Sequence, residues 1–224
     1  VAFDARVMPV KVADQNGNAT VADVAAGIDF AIQNQADVIN LSLGAPVGSQ
    51  VLEDAINRAL QAGIVVVAAA GNDPVHHEVF PAAYPGVISV TALGQDGKLG
   101  FDAVLAEGVE VGAPGEQVIT TLPGGVYGFV TGSSAASAYT AGVAALARSR
   151  TPTLTGEQVA RLLRTSQREI PELAVAGTTY RFGHLDPEQV VLRASTTYVD
   201  HAVTHVEVYP DKPIPGQPAE AVVE

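Results

Sequence analysis

Residues 64–70, Ile64-Val65-Val66-Val67-Ala68-Ala69-Ala70, carry no polar side chain, and Gly63 and Gly71 bound them. The run is strand-sized and far short of the ~20 residues that a membrane-crossing helix needs. A strand that is apolar at every position must be covered on both faces, as strands are in a parallel sheet held between helices. The neighbouring sequence supplies such helices. Thr20 suits the N-cap of a helix whose apolar positions are Val21, Val24, Ala25, Ile28 and Ala31. Leu52, Ala55, Ile56, Ala59 and Leu60 form a second helical stripe that ends at Gly63. Residues 6–12, 37–43, 87–90 and 109–111 read as further strands. Helix-length crossovers between buried strands require parallel pairing, so the expected fold is α/β, a three-layer sandwich with a mostly parallel sheet.

Further along, residues 119–121 and 128–130 flank Pro123-Gly124-Gly125 and predict a hairpin. Residues 134–147 are almost all Ala, Ser, Thr, Gly and Val, the composition of a helix packed closely on every side. Thr155 and Gln158 predict a capping box at the start of another helix. The character changes near residue 195. Thr204-His205-Val206-Glu207-Val208-Tyr209 alternates as a strand does, and residues 210–218 are rich in proline. Residues 1–194 are expected to form one domain, and residues 195–224 a linker and the start of a β domain.

Acidic residues outnumber basic ones, 24 against 12, for a net charge of −12. Such a surface does not neutralise phosphates or anionic lipid, so no nucleic-acid partner and no membrane segment are expected. The chain has no cysteine, which rules out disulfides, thiolate metal sites and cysteine nucleophiles. The histidines are His76, His77, His184, His201 and His205, and none has metal-ligand spacing on a helix. No phosphate-binding glycine motif follows a strand, so a nucleotide site is unsupported.

Three strand ends carry the residues with chemistry in them. Ala68-Ala69-Ala70-Gly71-Asn72 puts an amide outside the carboxyl end of the apolar strand, where ligands of α/β sheets bind. Gly132-Ser133-Ser134-Ala135-Ala136 puts serine in the first turn of a helix, beside unpaired N–H groups and in the positive field of the helix terminus. That environment suits a nucleophile whose substrate becomes an oxyanion. Asn40-Leu41-Ser42-Leu43-Gly44 can offer a backbone edge to an extended peptide. Taken singly, each also fits a plainer role: an ordinary Gly-Asn turn, a helix N-cap, or an interior strand.

Together and in this order these segments resemble the subtilisin-like serine proteases, the subtilase family. The resemblance covers residues 1–192. Residues 28–44 are similar to the family's GIDWAVQNGADVINMSLG stretch, residues 64–72 to VVVVAAAGN, and residues 80–90 to YPAAYPGVIAV. Ala113-Pro114-Gly115 matches APG, residues 132–142 align with GTSMAAPHVAG, and residues 182–186 resemble the closing YGYGLVD. The resemblance implies peptide-bond hydrolysis with Ser134 as nucleophile and Asn72 as oxyanion donor, aided by the Ser134 N–H. It implies that Ser42, Leu43 and Gly44 form one wall for a polypeptide substrate, and Ala69, Ala70 and Gly71 the other. Pro81 falls at a position that is often a cis proline, and Val79 at the floor of the pocket between the walls.

The family's Asp and His motifs have no counterpart in the chain. In the family both precede the strand to which residues 6–12 correspond. The expectation is therefore an N-terminally truncated catalytic domain, residues 1–194 being its C-terminal part, inactive alone and partnered by the missing N-terminal part. Ala135, Ala138 and Tyr139 replace the usual Met, Pro and His, which keeps open the alternative of a pseudoprotease or binding scaffold. The family implies an extracellular or periplasmic location. No cofactor or metal site is expected from the residues; calcium is possible by resemblance, but no ligand set maps onto it.

Overall fold

The computed structural model describes residues 1–73, 78–100, 103–106, 108–170, 174–175, 178–180 and 182–195. In chain order its elements are α1 (Val21–Gln33), β1 (Val38–Leu41), α2 (Gln50–Gln61), β2 (Val65–Ala69), β3 (Ile88–Leu93), β4 (Val111–Pro114), β5 (Val118–Leu122), β6 (Val126–Val130), α3 (Ser133–Arg150), α4 (Gly156–Thr165), β7 (Gln167–Arg168), β8 (Ala174–Val175), β9 (Thr178–Thr179), β10 (His184–Leu185) and α5 (Pro187–Ser195). The main sheet runs β1-β2-β3-β4-β10-β7. Every neighbouring pair is parallel except β10 with β7. Two antiparallel pairs stand apart from it, the hairpin β5–β6 and the short β8–β9.

The apolar run at residues 64–70 behaves as its composition requires. Successive side chains of a strand point to opposite faces. Val65 and Val67 enter a core with Ile88, Val90 and Val111 against α3, α4 and α5. Val66 and Ala68 enter a second core with Ile39 and Leu41 against α1 and α2. Two helical layers thus cover one sheet, an α/β sandwich.

Local signals set the helix boundaries. The Thr20 hydroxyl accepts the Asp23 N–H at 3.1 Å and starts α1. Val24, Ala25, Ile28 and Ala31 then face the core, while Val21 is exposed. Thr155 and Gln158 form the reciprocal capping box of α4. β4 lies further along than the residues 109–111 that suggested it, because Val109 buries itself before the ladder begins. The helix α3 is not packed on every side: Ala136, Ser137, Thr140, Val143, Ala144 and Ala147 are buried, but Ser134 and Ala138 reach the surface.

The expected strand over residues 6–12 does not form. Among the described residues no ladder partner pairs with it, and Val7 is 87% exposed. Alternation supplies a face to bury, but a strand also needs a neighbour for its backbone N–H and C=O groups. Residues 1–12 instead touch helices of both layers through Val1 and Val10. A Cβ on Gly27 of α1 would come within 3.2 Å of Val10, and one on Gly142 of α3 within 3.0 Å of Val1. β1 is consequently the bare edge of the sheet. The expected linker and β domain lie outside the described residues beyond Ser195, as do His76, His77, His201 and His205. Among the described residues no helix is long and apolar enough to cross a membrane.

Candidate active site

Parallel pairing of β1 with β2 brings their carboxyl ends side by side, Asn40 opposite Val67 and Leu41 opposite Ala68. Ser42, Leu43 and Gly44 continue from one end, and Ala69, Ala70, Gly71 and Asn72 from the other. The N-terminus of α3 meets both.

Gly132 makes that meeting possible. Its φ of 134° and ψ of 171° lie in a region that is essentially closed to residues with a side chain. A Cβ there would also stand 2.9 Å from Asn72 Nδ2. The chain turns at Gly132 and the Ser133 N–H donates to Asn72 Oδ1 at 2.7 Å. The Gly71 N–H donates to Ser133 Oγ at 3.1 Å. The first of these bonds occupies the carbonyl oxygen of the Asn72 side chain, which leaves the amide Nδ2 as its donor. Asn72 itself is exposed.

Ser134 is exposed in the first turn of α3. Its hydroxyl donates to the Ser42 carbonyl in a long bond of 3.4 Å. Its N–H takes no partner among the described residues, as expected for the first turn of a helix. No acidic residue lies in that turn to cancel the positive end of the helix. Plain N-capping is not the role of these serines, because the N-cap is Gly132 and no side chain caps the helix.

A hydroxyl network holds the serine's backbone. Ser42 Oγ donates to the Ser134 carbonyl at 2.9 Å, and Ser137 Oγ donates to the same carbonyl at 3.0 Å. The two hydroxyls are 3.0 Å apart. Asn40 Nδ2 donates to Ser42 Oγ at 2.9 Å. Sequence reasoning selected Ser42 but missed Asn40, Ser133 and Ser137 as supports. Small polar residues in a close-packed helix carry no signal that separates packing from such a network.

The structure therefore brings together all eight residues selected from the sequence: Ser134, Asn72, Ser42, Leu43, Gly44, Ala69, Ala70 and Gly71. Among the described residues it adds no histidine to them. The described histidine, His184, lies on β10, separated from β1 by β2, β3 and β4. Burial and then the Arg168 charge hold its imidazole below the ordinary value, opposed by Asp186. Tyr139 is half-buried one turn beyond the site, and burial raises its phenol. Among the described residues no group of three or more His, Asp or Glu side chains is placed to hold a metal ion. Phe80–Pro81 is a cis peptide, as the resemblance implied.

Known proteins resemble this chain in sequence and fold. Residues 1–185 match the subtilase family. A thermostable alkaline protease of Halalkalibacterium halodurans is 43% identical over 159 residues, 71% of this chain and 44% of that protein. Subtilisin E of Bacillus subtilis is 40% identical over 163 residues, 71% of this chain and 43% of its own. A protease of known structure from Pseudoalteromonas arctica superposes with a TM-score of 0.79 at 32% identity, covering 87% of this chain and 64% of that one. The chain thus spans less than half the length of these two curated relatives. With its parallel sheet, its two converging strand ends and its match over residues 1–185, the chain belongs to the subtilase family.

Proposed function

We propose that this chain carries the nucleophile and the oxyanion donors of a serine endopeptidase. Ser134 Oγ attacks the carbonyl of an extended polypeptide held between Ser42-Leu43-Gly44 and Ala69-Ala70-Gly71. The oxyanion that forms accepts from Asn72 Nδ2 and the Ser134 N–H. Removing a side-chain donor of this kind costs about 2.7–4 kcal/mol in the transition state, a figure that comes from subtilisin itself. The observation that carries the reading is the bond from the Ser133 N–H to Asn72 Oδ1, which leaves the amide as donor beside an exposed serine hydroxyl.

The base that removes the Ser134 proton, and the carboxylate that orients it, come on this reading from polypeptide outside these residues. The bare β1 edge supports that part, because an unpaired interior-type strand has room for a further parallel neighbour. The chain alone is then inactive. Its relatives favour an extracellular or periplasmic setting and polypeptide substrates. A binding scaffold of the same fold is the second reading, favoured by Ala135, Ala138 and Tyr139 in the motif around the serine.

A serine-directed fluorophosphonate tests both parts. The chain alone is expected to stay unlabelled. Mixed with a subtilase polypeptide that carries the family's Asp and His motifs, it is expected to be labelled at Ser134, and Ser134→Ala is expected to abolish labelling. Strong labelling of the isolated chain refutes the external base. Labelling that survives Ser134→Ala refutes the nucleophile, and no labelling in the mixture favours the scaffold.

A further inference from the structure

Ser137 is fully buried one turn beyond Ser134, yet its hydroxyl does not serve its own helix alone. Thr140 shows the ordinary pattern, with Oγ1 donating at 2.9 Å to the Ala136 carbonyl four residues back. Ser137 Oγ donates to the Ser134 carbonyl at 3.0 Å and also lies 3.0 Å from Ser42 Oγ, just past the end of β1. Ser42 Oγ donates to the same carbonyl at 2.9 Å. The hydroxyls and the carbonyl form a closed triangle that joins the first turn of α3 to a strand end 92 residues away in sequence. Each hydroxyl brings one proton, so the direction of the Ser42 proton decides how firmly the carbonyl is held. Asn40 Nδ2 donates to Ser42 Oγ at 2.9 Å from outside the triangle. With that donor on one lone pair, the Ser42 proton turns inward.

We propose that Asn40 and Ser137 are positioning residues for the reaction of Ser134, acting through the Ser42 hydroxyl. The inference rests on the serine-endopeptidase reading. Ser42 grips Ser134 at both ends: its hydroxyl holds the Ser134 carbonyl, and its own carbonyl accepts the Ser134 hydroxyl at 3.4 Å. The spacing between the nucleophile and the wall that bears the substrate is therefore set by the triangle as well as by helix packing. Attack needs reacting atoms about 3–3.5 Å apart, and a misplacement of about 1 Å costs about a hundredfold in rate. Loss of either residue strands no buried group. Without Ser137 the carbonyl keeps Ser42, and Asn40 and Ser42 are both exposed. Positioning and mere support thus part company: the effect is small on stability and large on rate.

Fluorophosphonate labelling reads the rate. It forms a bond from Ser134 Oγ to phosphorus, expels fluoride and passes the hydroxyl proton to the base. The rate is measured for the chain mixed with a subtilase polypeptide that carries the family's Asp and His motifs. Urea midpoints and the carbonyl ¹³C signal of Ser134 are measured on the chain alone. Ser137→Ala and Asn40→Ala are each expected to slow labelling at least about tenfold, with the midpoint almost unchanged. Asn40→Asp keeps the shape but only accepts, so it draws the Ser42 proton out of the triangle. It is expected to slow labelling more than Asn40→Ala and to move the carbonyl signal upfield, as loss of a donor does. The Asn40 variants, at an exposed position, keep the test alive if Ser137→Ala unfolds. Unchanged rates in the folded variants overturn the inference, as does a slowing that tracks lost stability. A carbonyl signal that stays in place in Asn40→Asp overturns it too, whatever the labelling does. If even the native mixture is not labelled, the peptidase reading fails. An upfield move then keeps the triangle as the holder of the turn, and no move removes both.

Discussion

The two edges of the main sheet are built differently. At one edge β7 contributes two residues, runs antiparallel to β10, and ends the sheet. Its Gln167 side chain finishes the job: Nε2 donates to the carbonyls of Glu110, Leu163 and Arg164 at 2.9, 3.1 and 3.0 Å, and Oε1 accepts the Gly183 N–H. Arg168 pairs with Asp186 at 3.4 Å across the same edge. A very short edge strand with charge beside it is how proteins blunt an edge against further pairing. At the other edge β1 has no such device. It lies parallel to β2 in register on one side, and among the described residues no strand pairs with its other side. One edge is closed by side chains; the other has the form of an interior strand without a neighbour.

The largest effect that separates the two ends is in the layers they border. Ile88→Ala, in the fully buried core of β3, is expected to cost about 2–5 kcal/mol. Val7→Ala, in the unpaired stretch, is expected to stay within about 0.5 kcal/mol. Urea midpoints compare them, and similar costs would mean that residues 6–12 are docked in solution. Next is the closed edge. Gln167→Ala strands the Gly183 N–H and three carbonyls and is expected to cost about 1–3 kcal/mol. Asn40→Ala on β1 removes one exposed bond and is expected to cost less than about 1 kcal/mol. A costlier Asn40→Ala would show that the bare edge is structurally finished after all.

The smallest effect sharpens the comparison by pH. His184, half-buried at the closed edge, has its imidazole held below the ordinary 6.5 by burial first and Arg168 second, against Asp186. The unfolded chain therefore binds the proton more readily than the folded one. Stability from this group is intact above 6.5 and falls as pH drops from there through the folded value. Partial exposure keeps the loss below about 1 kcal/mol. His184→Gln is expected to flatten the slope of Tm between pH 7 and 5, and an unchanged slope would remove His184 from the account.

The same contrast explains what was legible in the sequence. The run at residues 64–70 announced two-sided burial because every position obeyed it. The capping box of α4 and the hairpin at Pro123-Gly124-Gly125 are local, so neighbours in sequence sufficed. Ser134 and Asn72 were found because family motifs fix their order along the chain. Residues 6–12 misled because alternation records a face and not a partner. The role of Gln167 was invisible, since its four partners lie on three other segments and nothing in a lone glutamine marks it. The supports Asn40, Ser133 and Ser137 were hidden for the same reason.

Gly132 has a consequence for how a chain of this kind changes over generations. The turn that aims Ser134 is also the turn that seats Asn72, and a side chain at 132 would clash with the latter and strain the former. In a saturation library scored only for folding, replacements at 132 should be lost as surely as in one scored for hydrolysis. A descendant that had abandoned catalysis would keep this glycine, and with it the approach of Asn72 to the helix, for as long as it kept the fold. Retention of Gly132 is thus a record of architecture, and the acid test of chemistry lies in the hydroxyl two residues later.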